Sequence, residues 1–165
     1  MTESRTKPVT VLIADDDPDD RKLIREAFEE CQLANDLRFV HDGEELLDYL
    51  NRRGPFADRV LSPRPGIILL DLNMPRIDGR EALREIKADP RFKSLRVIIF
   101  TTSKAPEDVI RAYTLSAASY IAKPAAFDEL IEIVKTLSKY WLEIVELPDE
   151  EDAATGGKGE DLRKV

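Results

Sequence analysis

Three acids, Asp15, Asp16 and Asp17, follow the apolar run VTVLIA, and Asp71 follows IILL within the segment IILLDLNMPRIDG. Thr101, Thr102 and Ser103 follow VIIF, and Lys123 with Pro124 follows SYIA. Singly, each residue has a plain role: Asp17 as a helix cap, Asp71 in a turn, Thr101 bonded to backbone, Lys123 on the surface. Together they are equipment for holding a phosphoryl group. Two like charges about 4 Å apart repel by roughly 4 kcal/mol at an effective dielectric near 20. Converging Asp15, Asp16 and Asp71 would therefore need a cation or protons. A donor set made only of oxygens, with room for water, suits Mg²⁺, which binds through one or two carboxylates and phosphate oxygens. Lys123 and Thr101 would add a point charge and a hydroxyl from the far side. An aspartate beside such a metal can itself be the nucleophile, and Asp71 is the acceptor on this reading.

That convergence requires a particular scaffold. Strands are expected at Val9–Ala14, Leu37–Val40, Gly66–Leu70, Val97–Phe100 and Ser119–Ala122. Helices are expected from Pro18 behind an Asp17 cap, after Asp42-Gly43, after Gly79, over Pro106–Leu115 and over Ala126–Leu147. Residues 51–65, with Gly54, Pro55, Pro63 and Pro65, read as a long irregular connection. Strand alternating with helix implies a parallel sheet covered on both faces, an α/β doubly wound fold. Uninterrupted apolar strands such as IILL are what such a sheet needs. Its ligands gather at the carboxyl ends of the strands. In a five-stranded sheet of order 2-1-3-4-5, the first and third strands are neighbours, so their terminal acids share one cleft.

Composition narrows the class. The 165 residues carry a formal charge of −8 with 42% apolar residues, as expected of a soluble acidic domain. Neither nucleic acid nor an anionic membrane is an expected partner, because both need a basic face. The single cysteine, Cys31, permits no internal disulfide and fits a reducing, cytoplasmic setting. No apolar run approaches the roughly 20 residues of a membrane span. The expected organisation is a disordered N-terminus over 1–7, one folded domain over 8–147 that includes the last helix, and a disordered acidic tail over 148–165. His41 reads as a surface histidine and Cys31 as a small apolar packing residue. Ser103 and Asn73, each two positions beyond Thr101 and Asp71, are placed to face attacking water.

The stretches VLIADDDP, IILLDLNMPRIDG, FTTS and SYIAKP resemble the receiver domain of two-component response regulators, over about residues 8–140. The spacing agrees, with 30 residues from Asp71 to Thr101 and 22 from Thr101 to Lys123. The resemblance implies the CheY-like fold, a phosphoryl group accepted on Asp71 from a sensor histidine kinase, and output through conformational change and protein contact. It implies Mg²⁺ held by Asp16, Asp71 and the Asn73 backbone carbonyl, with Asp15 contributing directly or through water. Thr101 and Lys123 would contact the phosphoryl oxygens, and Tyr120 would turn inward as Thr101 moves. A cis peptide between Lys123 and Pro124 is also implied. The longer stretch between Asp16 and Asp71 and the run YWLEIVELP after Lys139 are similar to stand-alone regulators serving phytochrome-type kinases. A second reading is a Mg²⁺-dependent phosphohydrolase of the haloacid-dehalogenase type, but that chemistry needs a general acid where Asn73 stands. Finally, Trp141, Ile144, Val145 and Leu147 continue the apolar stripe of the last helix past the expected domain edge. They are expected to overhang and to form a homodimer interface.

Overall fold

The computed structural model describes residues 9–33 and 35–144. The expectations for residues 1–7 and for the tail at 148–165 lie outside the described residues.

Five parallel strands form one sheet: β1 (Thr10–Ala14), β2 (Asp36–Val40), β3 (Ile67–Leu70), β4 (Arg96–Thr101) and β5 (Ser119–Ala122), in the order β2-β1-β3-β4-β5. Helices α1 (Pro18–Glu30), α2 (Gly43–Asn51), α3 (Gly79–Ala88), α4 (Pro106–Thr114) and α5 (Phe127–Leu137) cover its faces. Each of the first three helices starts on an aspartate whose side chain accepts a backbone N–H: Asp17 from Asp19, Asp42 from Glu45 and Asp78 from Glu81. These caps satisfy donors that the first helical turn leaves unpaired.

The pleat sorts the apolar strands between two cores. Leu12, Ala14, Ile68, Leu70, Val97 and Ile99 pack with α2 and α3 on one face, through Leu46, Leu50, Leu83 and Ile86. Val11, Ile13, Ile67, Leu69, Ile98 and Phe100 pack with α1 and α5 on the other, through Ile24, Phe28, Leu130 and Val134. Period-two side-chain direction thus turns each run into two buried faces.

Two expectations need correction. The Lys123–Pro124 peptide is trans, since no cis peptide occurs among the described residues. The last helix is α-helical only to Leu137 and continues as a wider π-helical turn over Ser138–Ile144. There Trp141 does not overhang. It packs on the α1–α5 core, because Cys31, Leu33 and Leu37 extend that core to meet it. Of the other interface residues, Val145 and Leu147 lie outside the described residues. The irregular connection at 51–65 is tethered: Tyr49 Oη donates to Pro63 O at 2.7 Å and Arg38 Nη1 to Leu61 O at 2.7 Å.

Gly79 sets the fit of α3 against the end of β3. A Cβ there would stand 2.1 Å from Asp71 O and 2.6 Å from Leu72 Cα, both backbone atoms that cannot swing aside. Gly79→Ala is therefore expected to destabilise the fold by at least the ~1–3 kcal/mol typical of overpacking. Thermal denaturation checks this, and an unchanged melting temperature would contradict the close approach.

Candidate functional site

The backbone ladder runs one residue past the strand ends, and the chemistry starts there. Asp15 N–H donates to Val40 O at 3.1 Å, Asp71 N–H to Ala14 O at 3.0 Å, and Lys123 N–H to Thr101 O at 2.8 Å. Ala14 lies opposite Leu70 across the β1–β3 pair, so Asp15 and Asp71 emerge side by side. Thr101 closes β4 and pairs with Ala122 of β5, which brings Lys123 to the same edge.

Lys123 Nζ sits 2.7 Å from Asp15 Oδ2, 2.7 Å from Asp20 Oδ2 and 2.9 Å from Asp71 Oδ2. The other Asp71 oxygen accepts the Thr101 hydroxyl at 2.8 Å and the Asn73 N–H at 3.1 Å. Asp15 Oδ1 accepts the Asp17 N–H at 3.0 Å. Asp15, Asp71 and Thr101 are buried, whereas Asp16 is exposed. Burial pushes the Asp15 carboxyl above the usual range, opposed by its bond to Lys123. Burial pulls the Lys123 ammonium down, but hydrogen bonds to Asp15, Asp20 and Asp71 more than reverse this and leave it raised. The ammonium is held charged.

Asp15, Asp16 and Asp71 each offer a carboxylate oxygen within 4.8 Å of the others. With Asp20 they set four carboxylates against one ammonium. The excess negative charge and the hard oxygen donors fit a divalent cation of the Mg²⁺ class. Asn73, whose N–H is tied to Asp71, belongs to the same loop.

Tyr120 is half-buried against the α2–α3 core, and its hydroxyl donates to Ser103 O at 2.9 Å. Thr101 engages Asp71, while Tyr120 engages the loop that follows Thr101. The Ser103 hydroxyl is directed to α4, donating to Asp108 Oδ2 at 2.6 Å. Arg80 of α3 grips the same carboxylate with Nε and Nη2, both at 2.7 Å. The Arg80 hydrogen bonds, then that from Ser103, hold the Asp108 carboxyl down at about 2.

All the expected metal, acceptor and switch residues at the strand tips therefore meet at one edge. Asp20, Arg80 and Asp108 were not assigned roles from the sequence. One signal was present: an arginine in the first turn of a helix opposes the macrodipole and asks for an acidic partner. His41 is exposed, 3.9 Å from Glu45, and Cys31 is half-buried, as expected of a surface and a packing residue.

A buried aspartate thus stands between a hydroxyl and an ammonium at the carboxyl edge of a doubly wound sheet. The chain belongs to the response regulator receiver family, whose domain profile matches residues 11–135. It is 35% identical over 148 residues to the response regulator Rcp1 of Synechocystis, covering 90% of this chain and 99% of that protein. The Mn²⁺-bound form of Rcp1 superposes with a TM-score of 0.78 at 36% identity, covering 86% of this chain and 99% of the other. The phosphorylated cyanobacterial phytochrome response regulator RcpA matches at 0.80 and 37% identity, over 86% and 99% of the two chains. RPA3017, a response regulator in red light signalling of R. palustris, matches at 0.80 and 40% identity, over 85% and 98%. Receiver domains of this family take a phosphoryl group from a histidine kinase and bind a divalent metal. Among the described residues no helix is long and apolar enough to cross a membrane.

Removing Lys123 would leave Asp15, Asp20 and Asp71 with no ammonium among them. Lys123→Ala is expected to cost about 3–5 kcal/mol of stability without metal, as when one partner of a buried ion pair is deleted. It should also tighten Mg²⁺ binding while weakening the response to phosphorylation. Chemical denaturation with and without Mg²⁺, and a Mg²⁺ titration, measure both effects. Weaker Mg²⁺ binding than in the parent would contradict the role given to this ammonium.

Proposed function

We propose that Asp71 accepts the phosphoryl group of a phytochrome-type histidine kinase, with Mg²⁺ held by Asp15, Asp16, Asp71 and the Asn73 carbonyl. The observation that carries this reading is the Asp71 carboxylate itself. One oxygen is fixed by the Thr101 hydroxyl and the Asn73 N–H, and the other by the Lys123 ammonium.

The phosphorus–nitrogen bond to the kinase histidine breaks, and a phosphorus–oxygen bond to Asp71 forms, giving an acyl phosphate. When bound, Mg²⁺ supplies a compact positive charge for the phosphoryl oxygens. Lys123 follows the charge: its ammonium, 2.9 Å from Asp71 Oδ2, moves its bond from the carboxylate to a phosphoryl oxygen. Thr101 does the same with its hydroxyl, and Tyr120 is held inward behind it. Burial of Asp15 and Asp71 strengthens each of these contacts, because charge–charge interactions grow as solvent is excluded. Later hydrolysis of the acyl phosphate returns Asp71 to a carboxylate. The phytochrome assignment is supported by likeness to RcpA and RPA3017, and cytoplasmic action by the acidic charge and the lone cysteine.

Incubation with Mg²⁺ and acetyl phosphate should add one phosphoryl mass to the protein, labile to hydroxylamine. Asp71→Asn should abolish that label while leaving the circular dichroism spectrum unchanged. Undiminished labelling of the variant would sink the assignment.

The same reading includes a homodimer through the end of the last helix, at Ile144 and Val145. Its support is the exposed Tyr140 ring, set edge-on against Trp141 at 5.1 Å, at the end of the apolar stripe. Because Trp141 serves its own core, Ile144 and Val145 are the positions to test. Ile144→Glu with Val145→Glu should give a monomer by light scattering that still takes phosphate on Asp71. A parent that scatters as a monomer at about the tens of micromolar concentrations where micromolar affinities assemble refutes the dimer.

A further inference from the structure

Arg80 and Asp108 take no part in holding a phosphoryl group or a metal. Their pairing is nonetheless more than a bridge between two helices. Asp108 Oδ2 is shared between Arg80 Nη2 at 2.7 Å and the Ser103 hydroxyl at 2.6 Å. Ser103 Oγ in turn accepts the Ala105 N–H at 3.3 Å. That hydroxyl ties the loop from Thr102 to Ala105 to the first turn of α4. The carbonyl of Ser103 is the acceptor for Tyr120 Oη, and its N–H approaches Thr101 Oγ1 at 3.5 Å. One residue therefore touches both switch side chains, and Asp108 holds it.

Arg80 closes the path on the other side. Its Nη1 reaches Leu72 O at 3.4 Å, the carbonyl next to the acceptor. The contacts form a ring: Asp71 to Thr101, Thr101 to Ser103, Ser103 to Asp108, Asp108 to Arg80, and Arg80 to Leu72, which is bonded to Asp71. A bidentate guanidinium–carboxylate pair fixes direction as well as distance. Asp108 also lies in the first turn of α4, where the helix dipole favours a negative charge.

Resting on Thr101 and Tyr120 as the switch, we propose that Arg80 and Asp108 are positioning residues that clamp Ser103 and so set the balance between the inward and outward positions of Tyr120. Through Thr101 they also set the readiness of Asp71 to accept phosphate. The clamp acts by geometry. Without it the Ser103 carbonyl is free to leave the reach of the Tyr120 hydroxyl, and Thr101 loses the residue that backs it. Lysine at position 80 would keep the charge and lose the fork, so it should support the clamp only partly.

The test uses the full chain carrying 3-fluorotyrosine, with the Tyr120 ¹⁹F signal assigned by Tyr120→Phe. Asp108→Asn, Arg80→Met and Ser103→Ala should each lower the inward-to-outward ratio of that signal by about fivefold or more, the lower end of ordinary coupling between sites. Arg80→Lys should fall between these and the parent. Labelling of Asp71 by acetyl phosphate should slow by a similar factor in Asp108→Asn. In a Thr101→Ala background, where the hydroxyl that carries the coupling to Asp71 is gone, adding Asp108→Asn should slow it much less. Ser103→Ala removes a single oxygen and keeps the test open if an α3 or α4 variant folds poorly. If the phosphorylated parent responds at Tyr120 while Ser103→Ala and Asp108→Asn keep the parent's ratio, the pair merely braces two helices and the proposal is overturned. A parent whose Tyr120 signal does not respond to phosphorylation overturns the switch reading, and the clamp with it.

Discussion

Lys123 is the residue on which the site depends. Its ammonium stands within 2.9 Å of carboxylate oxygens from Asp15 and Asp20, at the β1–α1 junction, and from Asp71, after β3. Carboxylates at such spacing, two of them buried, would otherwise repel by several kcal/mol at any plausible interior dielectric. The fixed ammonium relieves that repulsion at short range from all three carboxylates. One positive charge among Asp15, Asp16, Asp20 and Asp71 remains too little, so the site still attracts a divalent cation.

The scaffold serves this electrostatic problem through backbone register. Asp15, Asp71 and Lys123 each donate a ladder hydrogen bond one residue beyond regular strand, so their Cα positions are as well determined as those in the sheet. Side chains then point over the edge from a rigid base, and short distances need little loop ordering. The cost appears at glycines. A Cβ at Gly79 would collide with Asp71 O, and one at Gly43 would stand 1.7 Å from Ile77 O. The loops that frame the site are packed backbone on backbone, which leaves no space for side chains at those points.

Much of this was legible in the sequence because its cause is local. Strands β1, β3 and β4 announce themselves as apolar runs, and the aspartate caps at 17, 42 and 78 sit just before their helices. The site residues follow those runs directly, so strand order alone brings them together. Trp141 was harder. Its spacing from Leu130, Val134 and Leu137 is helical, but whether core exists beneath it depends on Cys31 and Leu33, about a hundred residues earlier in the chain. Arg80 and Asp108 were not legible as a pair, since nothing in either segment specifies that α3 and α4 start close enough for a bidentate contact. Asp20 was visible as one of several acids, and only the fold singles it out from Asp17 and Asp19 as the partner of Lys123.

The ring from Asp71 through Thr101, Ser103, Asp108 and Arg80 back to Leu72 bears on how such a site can act as a switch. A buried polar network contributes little net stability compared with apolar packing of the same volume, because desolvation offsets most of its attraction. It differs from apolar packing in being directional. Leucine or methionine at positions 80 and 108 could join α3 to α4 through nonpolar contact, but would leave the Ser103 hydroxyl without its carboxylate acceptor. With Asp108 ionised down to about 2, that acceptor holds throughout the physiological range. The loop after β4 therefore has defined hydrogen-bonded positions instead of a continuum of them. That discreteness is what allows a change at one carboxylate to be read elsewhere on the surface.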